Sequence, residues 1–152
     1  MTKKIVDIVN FNADASCLSS SIWMEALRGG TNSKICKWLS IFVRNKKKIT
    51  LGIIGSTLAD IKKYNPDVIN IINDKKDVFE IILRPWSHDI SLYRTDNLFI
   101  YNVELGIKSI KSEFESVSNY YLAPEFMITS RQIELIEKMG IEAIFINPDR
   151  YQ

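Results

Sequence analysis

Five short apolar runs, over residues 5–10, 49–54, 78–83, 120–123 and 141–146, alternate with segments whose apolar residues recur at helical spacing. A strand that returns after a helix pairs in parallel with its predecessor through a right-handed crossover. The order β-α-β-α-β-α-β-α-β therefore predicts an α/β domain with a five-stranded, mostly parallel sheet. The helical segments carry their own punctuation. Ile35, Trp38, Leu39 and Phe42 form one apolar face of a helix opened by Thr31, and Ser19-Ser20-Ser21 and Gly29-Gly30 bracket a shorter helix before it. Gly55-Ser56 is expected to close the second strand, and Asn65-Pro66 to restart a helix with Asn as cap and Pro at the first position. Asp96 is placed to cap a long helix bearing Phe99, Val103, Ile107, Ile110 and Phe114. Thr129 and Gln132, three apart, make a capping-box signature for the helix that ends at Met139-Gly140.

The 152 residues are enough for one domain with a buried core, so residues 1–152 are read as a single unit. A formal charge of +2 gives no reason to expect nucleic acid or a membrane surface as partner. Lys46-Lys47-Lys48, the one basic run, reads as a solvated helix end rather than a phosphate contact. Cys17 and Cys36 make no disulfide framework, and free buried thiols favour a reducing compartment. The first residues, running straight into a strand, lack the form of a signal peptide, and no stretch reaches the ~20 apolar residues that span a bilayer. A cytoplasmic domain is expected.

Parallel strands place all their C-terminal ends on one rim, where α/β folds collect their chemistry. Asn10, Asn12 and Asp14 follow the first strand and Ser56 the second. Arg84, Trp86, His88 and Asp89 follow the third, Glu125 the fourth, and Asn147 and Asp149 the fifth. Each has a plain structural reading. His88, the only histidine, reads equally as a partly buried side chain bonded to a loop carbonyl, and Asp14 and Asp89 as turn caps. Trp86 is either a plug for the core or, exposed among polar groups, a platform for a sugar ring. Glu125 is a poor capping residue held after Pro124, which favours a functional role. Asp14 and His88 are too few for a zinc site, and neither a phosphate-binding glycine loop nor a nucleophilic serine or cysteine with a partner is present, so no metal or cofactor is expected.

The segment Tyr121-Leu122-Ala123-Pro124-Glu125-Phe126, followed by a helix and then Gly140-Ile141-Glu142-Ala143-Ile144-Phe145-Ile146, resembles the Trp-Leu-Pro-Glu or Trp-Leu-Thr-Glu region of family 57 glycoside hydrolases. Trp86-Ser87-His88-Asp89-Ile90 is similar to the family's aromatic-x-His-Pro region on the preceding strand, and Asn10-Phe11-Asn12-Ala13-Asp14 stands where a His-Gln-Pro type motif opens the family. The resemblance implies a sheet that forms part of a distorted (β/α)7 barrel, a fold shared with polysaccharide deacetylases. Periodicity alone leaves an open flavodoxin-like sheet as the alternative. The resemblance also implies a retaining α-glucan glycoside hydrolase with Glu125 as nucleophile and Trp86, His88, Arg84, Asp89, Asp14 and Asn12 around the substrate.

The chain departs from the pattern in places. Tyr121 stands for the usual tryptophan, the first motif has no histidine, and Arg84 occupies the position of the first metal histidine of the deacetylases. The family's general acid, an aspartate after the last barrel strand, has no counterpart, because Asp149 follows the fifth. Three expectations stand together: an incomplete or weakly active carbohydrate-active domain; a non-catalytic module binding a saccharide or another small ligand; and a deacetylase-like protein without a full metal site. The partner expected is an oligo- or polysaccharide, and an open sheet edge makes a homodimer a further expectation.

Overall fold

The computed structural model describes residues 7–11 and 20–146. Five strands, β1 (Ile8–Phe11), β2 (Ile49–Ile53), β3 (Phe79–Leu83), β4 (Val117–Leu122) and β5 (Ala143–Phe145), lie side by side in chain order, and every neighbouring pair is parallel. The helices are α1 (Ser20–Leu27), α2 (Lys34–Asn45), α3 (Gly55–Tyr64), α4 (Asp67–Asp74), α5 (Asp96–Glu113) and α6 (Ser130–Lys138). A flavodoxin-like sheet needs a point where strand order reverses, and the described strands contain none. The open flavodoxin alternative is therefore corrected. Each crossover steps one strand onward in the same sense, which bends the sheet as the wall of a barrel and leaves it unclosed at β1 and β5.

Crossovers of one hand put the helices on one face. Leu51 and Ile53 of β2 and Phe79 and Ile81 of β3 share a core with Leu27, Leu39, Leu58, Val68 and Ile110. Leu83 and Tyr121 join a second core with Phe99, Val103, Leu135 and Ile136. The alternate residues face the other way, since side chains alternate along a strand. There Thr50 and Ser118 both donate hydroxyl hydrogen bonds to the Glu80 carboxylate, at 2.9 and 2.7 Å.

Several local expectations change once neighbours are in place. Gly55 does not close β2 but begins α3, because the β3 loop supplies acceptors for its first N–H groups: Gly55 donates to the Pro85 carbonyl at 3.0 Å and Ser56 to that of Trp86 at 2.8 Å. Asn65 does not cap α4. It is buried at the end of α3, and its amide donates to the Leu27 and Gly30 carbonyls and the Ser33 hydroxyl, tying that turn to the α1–α2 junction. Ser33 rather than Thr31 caps α2, accepting from the Cys36 N–H, and Thr95 rather than Asp96 precedes the first turn of α5. β4 starts at Val117, three residues before its apolar run. The Thr129–Gln132 capping box forms with both reciprocal hydrogen bonds, at 3.2 and 3.1 Å. Cys36 is a buried free thiol. Lys46, Lys47 and Lys48 are exposed at the end of α2, where Lys47 pairs with Asp7. Asn12, Asp14, Cys17, Asn147 and Asp149, with the first six residues, lie outside the described residues. No helix among the described residues is long and apolar enough to cross a membrane.

One glycine fixes how closely α5 approaches the rim. A Cβ on Gly106 would lie 2.3 Å from the Arg84 carbonyl oxygen, 2.4 Å from the Pro85 carbonyl carbon and 2.5 Å from the Trp86 nitrogen, all backbone atoms with no freedom to yield. Gly106→Ala is expected to destabilise the fold by about 1–3 kcal/mol or more, read as a lower denaturant midpoint, even though alanine is the better helix former. An unchanged midpoint would show that α5 is free to move away from this segment.

Candidate functional site

Arg84 is the first residue beyond β3 and falls on the face opposite the helices, in step with Glu80 and Ile82. It is only 1% exposed. Gly52, in the middle of the fully buried β2, makes room for it: a Cβ there would meet the Asn10 side-chain oxygen at 2.8 Å and Arg84 Cδ at 3.2 Å. The pairing of β3 with β4 slips between Ile82 and Leu83, so that one step on β3 corresponds to three on β4. Such an irregularity re-aims the end of a strand. It brings the Leu122 carbonyl over the buried guanidinium, and Arg84 Nη1 donates to it at 2.5 Å. Burial draws the Arg84 pKa down to about 10, opposed by the Tyr121 hydroxyl and the Glu125 carboxylate, so the group stays cationic near neutrality. Burial likewise pushes the Tyr121 hydroxyl well above its ordinary value.

Arg84 Nη2 lies 3.3 Å from His88 Nδ1, and His88 Nε2 lies 2.8 Å from Glu125 Oε1. A guanidinium only donates, so Nδ1 accepts and the imidazole proton sits on Nε2, directed at the carboxylate. The result is a relay of three side chains from two loops, Arg84–His88–Glu125, running from a buried cation to a carboxylate 58% exposed. Both ring nitrogens are thereby engaged, one of them against a positive charge, which is unfavourable for a metal at His88. Among the described residues no group of three or more His, Cys, Asp or Glu is placed to hold one.

Glu125 is held unusually. It lies in a one-turn 3-10 helix, Pro124–Phe126, closed by the Phe126 N–H on the Ala123 carbonyl and the Met127 N–H on that of Pro124. Glu125 and Phe126 both adopt left-handed backbone, with φ of 52° and 55°. For residues with a Cβ this costs about 1–2 kcal/mol each. Strain of that kind persists where the surroundings over-determine it, and functional sites are where it gathers. Glu125 Oε1 takes the histidine hydrogen bond, and Oε2 has no partner among the described residues.

The remaining residues singled out from sequence divide. Trp86 is partly buried, with its ring over Gly55, where a Cβ would come within 2.4 Å of the indole, and its backbone N–H donates to the Asn102 carbonyl at 2.9 Å. Asp89 pairs with Arg94 at 2.7 Å. Trp86 and Asp89 line a groove against α5 in which neither His88 nor Glu125 takes part. Asn12 and Asp14 lie outside the described residues. The sequence reading missed Asn102, whose side-chain oxygen accepts from both the N–H and the hydroxyl of Ser87 and so fixes the loop that carries His88. A lone asparagine within a helical pattern gives no such signal. Gly52 and Gly106 did offer one, since a glycine inside an element often marks a close backbone approach.

Comparison with known proteins agrees with this architecture. A 4-alpha-glucanotransferase from Thermococcus litoralis superposes with a TM-score of 0.71 at 14% identity, over 91% of this chain and 21% of that one. A family 4 carbohydrate esterase from Bacillus anthracis gives 0.63 at 16% identity, over 92% and 57%. A family 4 pseudoenzyme from the same organism gives 0.63 at 12%, over 94% and 43%. The chain thus spans about a fifth of the glucanotransferase and about half of the esterase-type structures. No curated protein matches it by sequence. The family described as Glycosyl hydrolase family 57 matches residues 21–148, most of the chain, including the strands and loops that carry Arg84, His88 and Glu125, and the protein belongs to that family.

Proposed function

We propose that the rim around Glu125 is the nucleophile half of a retaining glycosidase site acting on an α-glucan. The observation that carries this reading is the His88 Nε2–Glu125 Oε1 hydrogen bond, made to a carboxylate presented on strained backbone at the end of β4. In a retaining mechanism one carboxylate attacks the anomeric carbon while a second carboxyl, about 5–5.5 Å away, protonates the leaving oxygen. The histidine N–H engages Oε1 and orients the carboxylate, leaving Oε2 to form the bond to the anomeric carbon as the bond to the leaving oxygen breaks. Arg84 is a positioning residue: it fixes the histidine tautomer from beneath. Arg84 does not reach the open rim as the protein stands, so its part in substrate binding is indirect on this reading.

No proton donor is assigned among the described residues. Within the described residues the hydrogen bonding of Glu125 involves His88 and no second carboxyl. General-acid help is typically worth about 10²–10⁴ in rate. On natural glucans the chain by itself is expected to be slow, whereas an aryl glycoside with a good leaving group needs no acid. The same observation favours a second reading, saccharide binding without turnover.

An activated nitrophenyl α-maltoside separates the two. Glu125→Gln is expected to lower its turnover by about 10²–10⁴ with an unchanged melting temperature, and azide is expected to restore turnover in Glu125→Ala. Equal rates for the parent and Glu125→Gln would reject the nucleophile assignment. Saturable binding with no turnover in the parent would establish the binding module instead.

Arg84→Met tests the relay. A buried charge is weak support for stability, and Glu125, being exposed, is not stranded when the cation is removed. The lost charge-assisted bond to the Leu122 carbonyl costs about 1.5–3 kcal/mol, offset in part by the desolvation no longer required, so the variant is expected to melt near or modestly below the parent. Its His88 ring, read by nitrogen NMR, is expected to change from the Nε2–H tautomer to a mixture, with a loss of turnover on the activated glycoside. A large drop in melting temperature would mean that Arg84 serves the fold rather than the site.

A further inference from the structure

We propose that the groove between the β3–α5 connection and α5 is a second saccharide-binding site, which holds outer sugar units of the glucan whose reacting bond lies at Glu125. The proposal rests on the reading above for the identity of the chain it holds, and on separate observations for the site. The groove has a volume of about 240 Å³. Aromatic and polar groups share its walls: Trp86, Phe99 and Tyr101 bring rings to it, and Asp89, Ser91, Arg94 and Asn102 are among its polar residues.

Those polar groups are ordered yet have hydrogen-bonding capacity left. Asp89 Oδ2 is held by Arg94 Nε, leaving its other oxygen as an acceptor and the guanidinium ends as donors. Asn102 spends its side-chain oxygen on Ser87, leaving the amide nitrogen as a donor. Ser91 is 4% exposed, and its hydroxyl has no hydrogen-bond partner among the described residues. An unsatisfied buried hydroxyl is uncommon and calls for a ligand group or water to complete it. Acceptors and donors beside aromatic faces match a polyol ring, which offers hydroxyls around its edge and C–H bonds on its faces.

Exposure points to the same place. Ile90, Tyr93, Leu98 and Tyr101 are 43, 91, 54 and 64% exposed, and all belong to the short segment that forms or borders the groove. A concentration of exposed apolar side chains marks an interaction surface. The walls are a helix and a loop rather than a strand edge, so an extended peptide has no open ladder to join. The groove also shares its loop with His88, whose Nε2 meets Glu125.

The test is an NMR titration of the chain with maltoheptaose and, separately, chitopentaose, following the rings of Tyr101 and His88, together with the affinity of Tyr101→Ala. The Tyr101 side chain is largely in water, so its removal is expected to leave the melting temperature unchanged. Shifts at both rings, with about a tenfold weaker affinity in Tyr101→Ala, are the expected result. Shifts at Tyr101 alone would uphold the groove and reject a glucan site at Glu125. Shifts at His88 alone, or equal affinity for Tyr101→Ala and the parent, would overturn the groove and leave Glu125 standing. No shift with either sugar would overturn both.

Discussion

Taking a guanidinium out of water removes a permanent charge from its best solvent, so protein acceptors have to gather around it. In this domain they come from the end of β4 and from the loop after β3, through the Leu122 carbonyl and His88 Nδ1. The two turns are thereby locked to one another, and the carboxylate of Glu125 inherits a fixed neighbour. Space for the arginine exists because β2 carries a glycine at the matching position and because the β3–β4 pairing slips just before it. The site is therefore a consequence of sheet irregularity as much as of the residues that occupy it.

Stability and chemistry pull apart here. Two left-handed residues at the tip of the Glu125 turn and a buried cation beneath it both weaken the folded state. They sit beside cores in which β2 and β3 are almost wholly buried and the long α5 is pressed onto the loop backbone at Gly106. A rigid wall carrying a strained, half-exposed carboxylate is what a site needs if geometry is to survive ligand binding. The same rigidity divides the rim into two areas, the relay ending at Glu125 and the groove against α5, joined by the few residues between Trp86 and Asp89.

Much of the architecture was legible in the chain. The alternation of apolar runs with helical faces gave the parallel sheet, Thr129 with Gln132 gave the start of α6, and a glutamate after Pro124 pointed at the turn whose backbone is left-handed. The misreadings have a common cause. Asn65, Gly55 and Asp96 were assigned by local capping rules, but Asn65 bonds across to the α1–α2 junction, Gly55 bonds to the β3 loop, and Asp96 yields the cap position to Thr95. β4 began early because its first residues, Val117 and Ser118, pair with β3 rather than satisfying an apolar pattern of their own.

The residues alone determined that strands and helices alternate, that polar groups gather in the turns after the strands, and that Glu125 and His88 stand in two of those turns. These follow from periodicity and from side-chain chemistry, which are local. Whether the sheet reversed or curved onward, which nitrogen of His88 met Glu125, and that Trp86 and Asp89 turned to a different groove were decided only in three dimensions. Each depends on contacts between segments distant in the chain, where register, a glycine's missing Cβ and the needs of a buried charge select one arrangement among many that the local pattern allows.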